Sequence, residues 1–240
     1  MNVVKNLSRA TAHFLFILSV AYISPSFGDA FQAGVSALKR GHYSTAMRAW
    51  IPLAERGIAQ AQNNVGHLYE EGYGVSQNYT EAMNWYKKAA NQGLAEAQHN
   101  VGMLYYHGYG VRQNHRAAHK WFNLAAQQDL PDAQYMLGLT YYLGKGATQN
   151  NALARKWFYK SAKQAYGNAQ MMFAYMIQAG DGGKAQPEVA IVWALLAEKN
   201  GISDARDIAY HAELMLSEQQ IALANQAVEK CLSTNLQECT

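Results

Sequence analysis

In the stretch NYTEAMNWYKKAANQG, residues 78–93, Trp85, Tyr86, Ala89 and Ala90 form an apolar stripe at helical spacing, with amides and charges between them. This predicts a helix. The stretch AEAQHNVGMLYYHGYGV, residues 95–111, is a second helix former, and it runs into two glycines, Gly108 and Gly110. It predicts a helix from about Leu94 to Tyr106. The glycines end it, since glycine takes the left-handed conformation that closes a helix without steric cost. The loops EGYGV, HGYGV and LGKGA are stops of this kind.

The same two-helix pattern recurs at a fixed interval. An Ala-Gln pair begins at Ala61, Ala97, Ala133 and Ala169, with Ala-Arg at Ala205, in steps of 36 residues. Glycine or a substitute stands at Gly57, Gly93, Asp129, Ala165 and Gly201, and tryptophan keeps the beat at Trp85, Trp121, Trp157 and Trp193. One helix pair cannot bury its stripe alone, so an uninterrupted period of this length predicts an all-α solenoid in which stacking makes the core. Gly66, Gly102 and Gly138 let the two helices of a unit approach, and Tyr69, Tyr105 and Tyr141 fill the gaps between units. Asn78, Asn114 and Asn150 are placed to cap the second helix.

The pattern decays at both ends, as expected of caps. Residues 29–57 read as an N-terminal capping pair, 58–201 as four full units, and 202–240 as C-terminal capping helices. The last of these begins at Ser217, where SEQQ offers a capping box. In the fourth unit the loop QAGDGGKAQPE departs from the pattern.

With these motifs in view, AxAQxxxGxxYxxGxGV followed by AxxWYxxAAxQG, the chain resembles the Sel1-like repeat proteins, a branch of the tetratricopeptide group. The resemblance covers nearly everything after residue 28. It implies a right-handed superhelix of antiparallel helix pairs that serves as an adaptor or scaffold for proteins or peptides. It also implies a role at the bacterial envelope or in contact with a host, with no catalytic residue set. In the tetratricopeptide pattern, four positions of each first helix face a concave groove. Mapped here, they begin with Gln60, Asn63, His67 and Glu70. The middle of the groove is His99, Met103, Tyr106, Tyr135, Leu139, Tyr142, Met171 and Tyr175, which make the candidate partner site. Clustered aromatics and methionines suit an interface core. Helical spacing alone leaves Tyr106, Tyr135 and Tyr142 open to either groove or core.

The N-terminus changes the setting. Lys5 and Arg9, then FLFILSVAYI, then Ser26 and Gly28 read as a signal peptide of residues 1–28 cleaved before Asp29. Pro25 interrupts the apolar run before a membrane anchor is complete, and no cysteine marks a lipoprotein. The expectation is a periplasmic or secreted protein with no stable membrane anchor, meeting an envelope protein or peptide. Removing residues 1–28 leaves 18 Lys and Arg against 17 Asp and Glu. That balance disfavours nucleic acid. Cys231 and Cys239 read as one disulfide closing a short terminal loop. An intermolecular bridge and a thiol redox pair are the alternatives, though the spacing is not that of a redox motif.

Sharper chemistry finds little support. Ser36 and Lys39 in SALK match the nucleophile element of penicillin-recognising enzymes, but the SDN and KTG companions are absent. An envelope hydrolase and a periplasmic regulator of a membrane sensor or machine stand as alternatives to the adaptor. His115 and His119 are spaced as two ligands on one helix face, without the glutamate of a metalloprotease. His67, His99 and His211 fall on groove positions, where a pH-sensitive contact is conceivable. Glu70 and Glu71 are adjacent and should diverge around their helix. The loops lack the third glycine of a phosphate-binding turn. No cofactor and no metal are expected.

Overall fold

The computed structural model describes residues 27–236 and 239. The described residues form twelve helices and no strand: α1 (Phe27–Lys39), α2 (Tyr43–Glu55), α3 (Ala59–Glu71), α4 (Tyr79–Ala90), α5 (Ala95–His107), α6 (His115–Ala126), α7 (Pro131–Leu143), α8 (Asn151–Ala162), α9 (Gly167–Ala179), α10 (Pro187–Lys199), α11 (Ala205–Glu213) and α12 (Glu218–Ser233). From α1 to α11 each helix packs against the next, α12 folds back onto α10, and the chain is an α-solenoid. The four central pairs are α3/α4, α5/α6, α7/α8 and α9/α10. None of the described helices is long and apolar enough to cross a membrane. The expected leader lies outside the described residues except for Phe27 and Gly28, which open α1.

The two glycines of each loop do different work. Gly72, Gly108, Gly144 and Gly180 are left-handed C-caps, with φ between 66° and 80°. The glycines two positions later also have positive φ, but they touch the previous unit. A Cβ on Gly74, Gly110, Gly146 or Gly182 would fall 2.1–2.6 Å from backbone atoms of Ser44, Tyr79, His115 or Asn151. The second glycine is therefore an inter-unit joint rather than a helix stop. Asn78, Asn114 and Asn150 cap α4, α6 and α8 with their side chains, as their positions predict. The fourth loop keeps the same closure, Gln186 N–H donating to Ile177 O as Asn150 N–H does to Tyr141 O. Yet Gln186 makes no capping bond.

The Ala-Gln pair is the buried stitch between units. Ala61, Ala97, Ala133 and Ala169 are fully buried, and the glutamines beside them are at most 6% exposed. Gln62, Gln98, Gln134 and Gln170 donate to the carbonyls of Ala54, Ala90, Ala126 and Ala162, each at the end of the preceding helix. Their own oxygens accept from Gln92, Gln128, Gln164 and Asn200 at 2.7–2.9 Å. Removing one rung strands a buried carbonyl, so Gln134→Leu should lower the unfolding free energy by about 2 kcal/mol. Urea denaturation measures it, and exposed Gln164→Leu should cost less than half as much.

Packing within each pair sorts the predicted stripe by depth. Tyr86, Phe122 and Phe158 are completely buried, whereas Trp85, Trp121 and Trp157 beside them are only half-buried. The aromatics lie against helix glycines: a Cβ on Gly66, Gly102 or Gly138 would come within 2.6–2.7 Å of the ring of Tyr86, Phe122 or Phe158. In the fourth unit both partners change together, to Ala174 and Ala194, and Trp193 becomes fully buried. Tyr69, Tyr105 and Tyr141 each pack on the clusters of two neighbouring units, as expected.

The ends close differently. Trp50 lies over Gly34, and its indole N–H donates to Phe31 O at 3.1 Å. Ser217 and Gln220 form the predicted capping box at the start of α12. Cys231 and Cys239 are joined in a disulfide with their Cα atoms 5.0 Å apart, and both are buried in the C-terminal core. Lys199 pairs with Glu229, and Arg206 with Glu198 and Glu213, across the exposed surface of the last helices.

Candidate interaction surface

The first helices of the four units share a composition that sets one face apart. In α3, α5, α7 and α9 the charged side chains are Glu70, Glu71, Glu96 and Asp132, with no lysine or arginine. The second helices carry Lys87, Lys88, Arg116, Lys120, Arg155, Lys156 and Lys160. Against these stands one acid, Glu81, so the first three units have acidic first helices and basic second ones, while α10 carries Glu188, Glu198 and Lys199.

The predicted partner residues lie along the acidic face. Met103, Tyr106, Tyr135 and Leu139 are half-buried and pack on the core shared by α6 and α7. Tyr135, Leu139 and Tyr142 also pack on the C-terminal core, so the band is continuous across units. Burial, and then the neighbouring Tyr106, raises the Tyr135 hydroxyl above the usual tyrosine range. Burial, and then the Tyr175 hydroxyl, does the same for Tyr142. His99 is the most enclosed of the histidines on the face: its ring lies 5.6 Å from Phe122, and burial lowers its pKa. Met171 is half-buried, and Tyr175, 44% exposed, is the most open member of the band.

The band ends in a cleft of about 470 Å³ between α9 and α11, lined by Tyr175, Gln178, Asp207, Ile208, His211 and Met215. Tyr175 and His211 stand one repeat apart. Met215 is 61% exposed and its neighbour Leu214 68%, so apolar surface is accessible at this end. Met215 and Ile208 escaped sequence reasoning because the repeat signature has faded there.

The other candidates separate. Ser36 is half-buried and Lys39 exposed on α1, and no hydrogen bond joins them. His115 and His119 do not converge: His115 lies against Tyr106 at 4.9 Å, while His119 Nδ1 bonds Thr140 Oγ1 at 2.8 Å. His67, Glu70 and Glu71 do converge, with ligand atoms within 4.8 Å of one another. This corrects the expected divergence of the two glutamates, whose long side chains bend back over one turn. Glu70 also accepts from the buried Tyr86 hydroxyl at 2.5 Å.

Comparison with known proteins fits this architecture. The Sel1 repeat family model matches residues 59–94, 95–130, 131–166 and 167–202, which together exceed half of the chain. A Sel1 repeat protein from Oxalobacter formigenes superposes with a TM-score of 0.69 and 30% identity, covering 75% of this chain and 74% of its own. A protective antigen of uropathogenic Escherichia coli strains displaying an SLR fold has a TM-score of 0.69 and 26% identity, over 88% of this chain. The match spans half of that antigen's length. A putative Sel1 repeat protein from Klebsiella pneumoniae shares the fold, with a TM-score of 0.53 and 18% identity over 78% of this chain and 93% of its own. Among curated proteins no sequence matches.

Proposed function

The chain belongs to the Sel1 repeat family, whose repeats are protein–protein interaction modules, and from that membership we propose that it is an exported adaptor or scaffold. It binds a protein or peptide of the cell envelope, or a secreted one, through the concave face of its first helices. The observation that carries this reading is the tyrosine and methionine band from Met103 to Tyr175, which opens into the cleft at His211 and Met215. Rigid aromatic side chains bury much area at small entropic cost, and half-buried ones are already held in place by the core. Because the first helices of the repeats carry Glu96 and Asp132 and no basic residue, the matching partner segment is apolar with basic flanks. The reading of residues 1–28 as a leader and the bonded cysteines support export.

A photo-reactive residue at Tyr175, with Lys88 on a second helix as control, tests the reading in the native cell. A partner captured from Tyr175 alone is the expected result. Tyr175→Ala should then weaken binding of the isolated partner by about tenfold, the scale of one aromatic anchor. The exposed position predicts little change in thermal stability. Equal capture from both positions, or none from Tyr175, would move the interface off this face.

A further inference from the structure

The fourth unit breaks the repeat pattern at the start of its second helix. In the first three units Asn78, Asn114 and Asn150 cap the second helix. The corresponding Gln186 leaves α10 without a side-chain cap and turns its amide oxygen to Arg155, accepting from Nη2 at 3.3 Å. Arg155 Nη1 donates to Lys184 O at 3.2 Å, and the guanidinium lies 5.9 Å from the Phe173 ring. The loop passes so close that a Cβ on Gly183 would meet Arg155 Nη1 at 2.5 Å. Arg155 is therefore held by neutral acceptors on one side and an aromatic ring on another, and among the described residues no carboxylate pairs with it. Its charge and remaining donors are left unanswered.

Beside it opens a cleft of about 550 Å³ between α8, α9 and the start of α10, lined by Arg155, Lys156, Tyr159, Phe173, Gln186 and Val189. Its aromatic side is ordered, the Tyr159 and Phe173 rings lying 5.0 Å apart, with Trp193 edge-on to both. Trp193, fully buried where Trp85, Trp121 and Trp157 are half-buried, sits against these two rings. An open cleft with a largely apolar lining and two cations has room for a small organic group. We propose that this cleft binds an aromatic or aliphatic carboxylate, the apolar part against Tyr159, Phe173 and Val189 and the carboxylate on the Arg155 guanidinium. Such a group comes either as a free organic acid or as the last residue of a peptide chain. The cleft shares no residue with the one at Tyr175, so its test is independent of the adaptor reading.

The test is titration of the purified chain with 3-phenylpropionate, with acetyl-Gly-Phe bearing a free carboxylate, and with its C-terminal amide. Binding is followed by the Trp193 indole resonance and by calorimetry. Saturable binding of the acids, at least tenfold weaker for the amide and for Arg155→Gln, is expected. Tighter binding of the peptide acid assigns the cleft to chain termini, and equal affinity assigns it to free acids. Gln186→Asn separates the site from the fold. Restoring the cap should raise Tm by about 2–4 °C, while acid binding weakens several-fold because Arg155 loses its support. No saturation at millimolar acid, equal binding of the amide, or unchanged affinity in Arg155→Gln would overturn the proposal.

Discussion

Phe122→Ala is expected to lower the unfolding free energy by about 3–5 kcal/mol, the cost of emptying a ring-sized space in a packed core. Phe122 is fully buried and lies against Gly102, where a Cβ would come within 2.6 Å of the ring. Gly102→Ala should in turn cost about 1–3 kcal/mol, because the ring has to move into other side chains. The double variant should cost clearly less than the two losses added together. An alanine methyl then fills part of the space that the ring vacates, so the residues are coupled rather than independent. The protein already contains the outcome of such an exchange: the fourth unit has Ala174 and Ala194 at these positions, and both are buried. Chemical denaturation of the two single variants and the double completes the cycle. Simple additivity would mean that the glycine serves something other than the ring.

Gly146→Ala is expected to be the more damaging loop substitution, with a loss of about 3–5 kcal/mol from left-handed strain and overpacking together. Its φ is 89°, and a Cβ would fall 2.1 Å from His115 O. That oxygen belongs to the backbone of the preceding unit, so no side chain can turn aside. Gly93 is the control. It has φ of 92° with nothing within 4 Å of a Cβ, so Gly93→Ala carries the conformational cost alone, about 1–2 kcal/mol. The two glycines are alike in backbone conformation and differ in what they approach. Because solenoid stability is a sum of units and joints, Gly146→Ala should also split thermal unfolding into two steps at the joint between the second and third units. Calorimetry distinguishes a split transition from a uniform shift. Equal losses at Gly93 and Gly146 would remove the joint from the second glycine.

Sequence alone determined what depends on local conformation and period. The repeat and its two-helix unit, the left-handed stops at Gly72, Gly108 and Gly144, the asparagine caps and the box at Ser217 all rest on backbone angles or hydrogen bonds within a few residues. Such features are legible because the residue types that permit them are few. The candidate face was legible in part. The residues from Met103 to Tyr142 could be placed on one side of their helices, but spacing could not say how deeply each would sit.

Tertiary structure decided whatever depends on a neighbour a full helix or a full unit away. It seated Tyr86 deeper than Trp85, because the ring that is fully enclosed is the one facing Gly66 across the pair. It made the repeated glutamine a rung between units, its partners 8 and 30 residues away in sequence. It drew Glu70 and Glu71 together with His67, and it pulled His115 and His119 apart toward Tyr106 and Thr140. The loop from Gly180 to Gln186 looked degenerate in one dimension. Folding keeps its closure and turns the residue in the capping position toward Arg155, because a side chain one methylene longer reaches an arginine 31 residues earlier instead of its own helix.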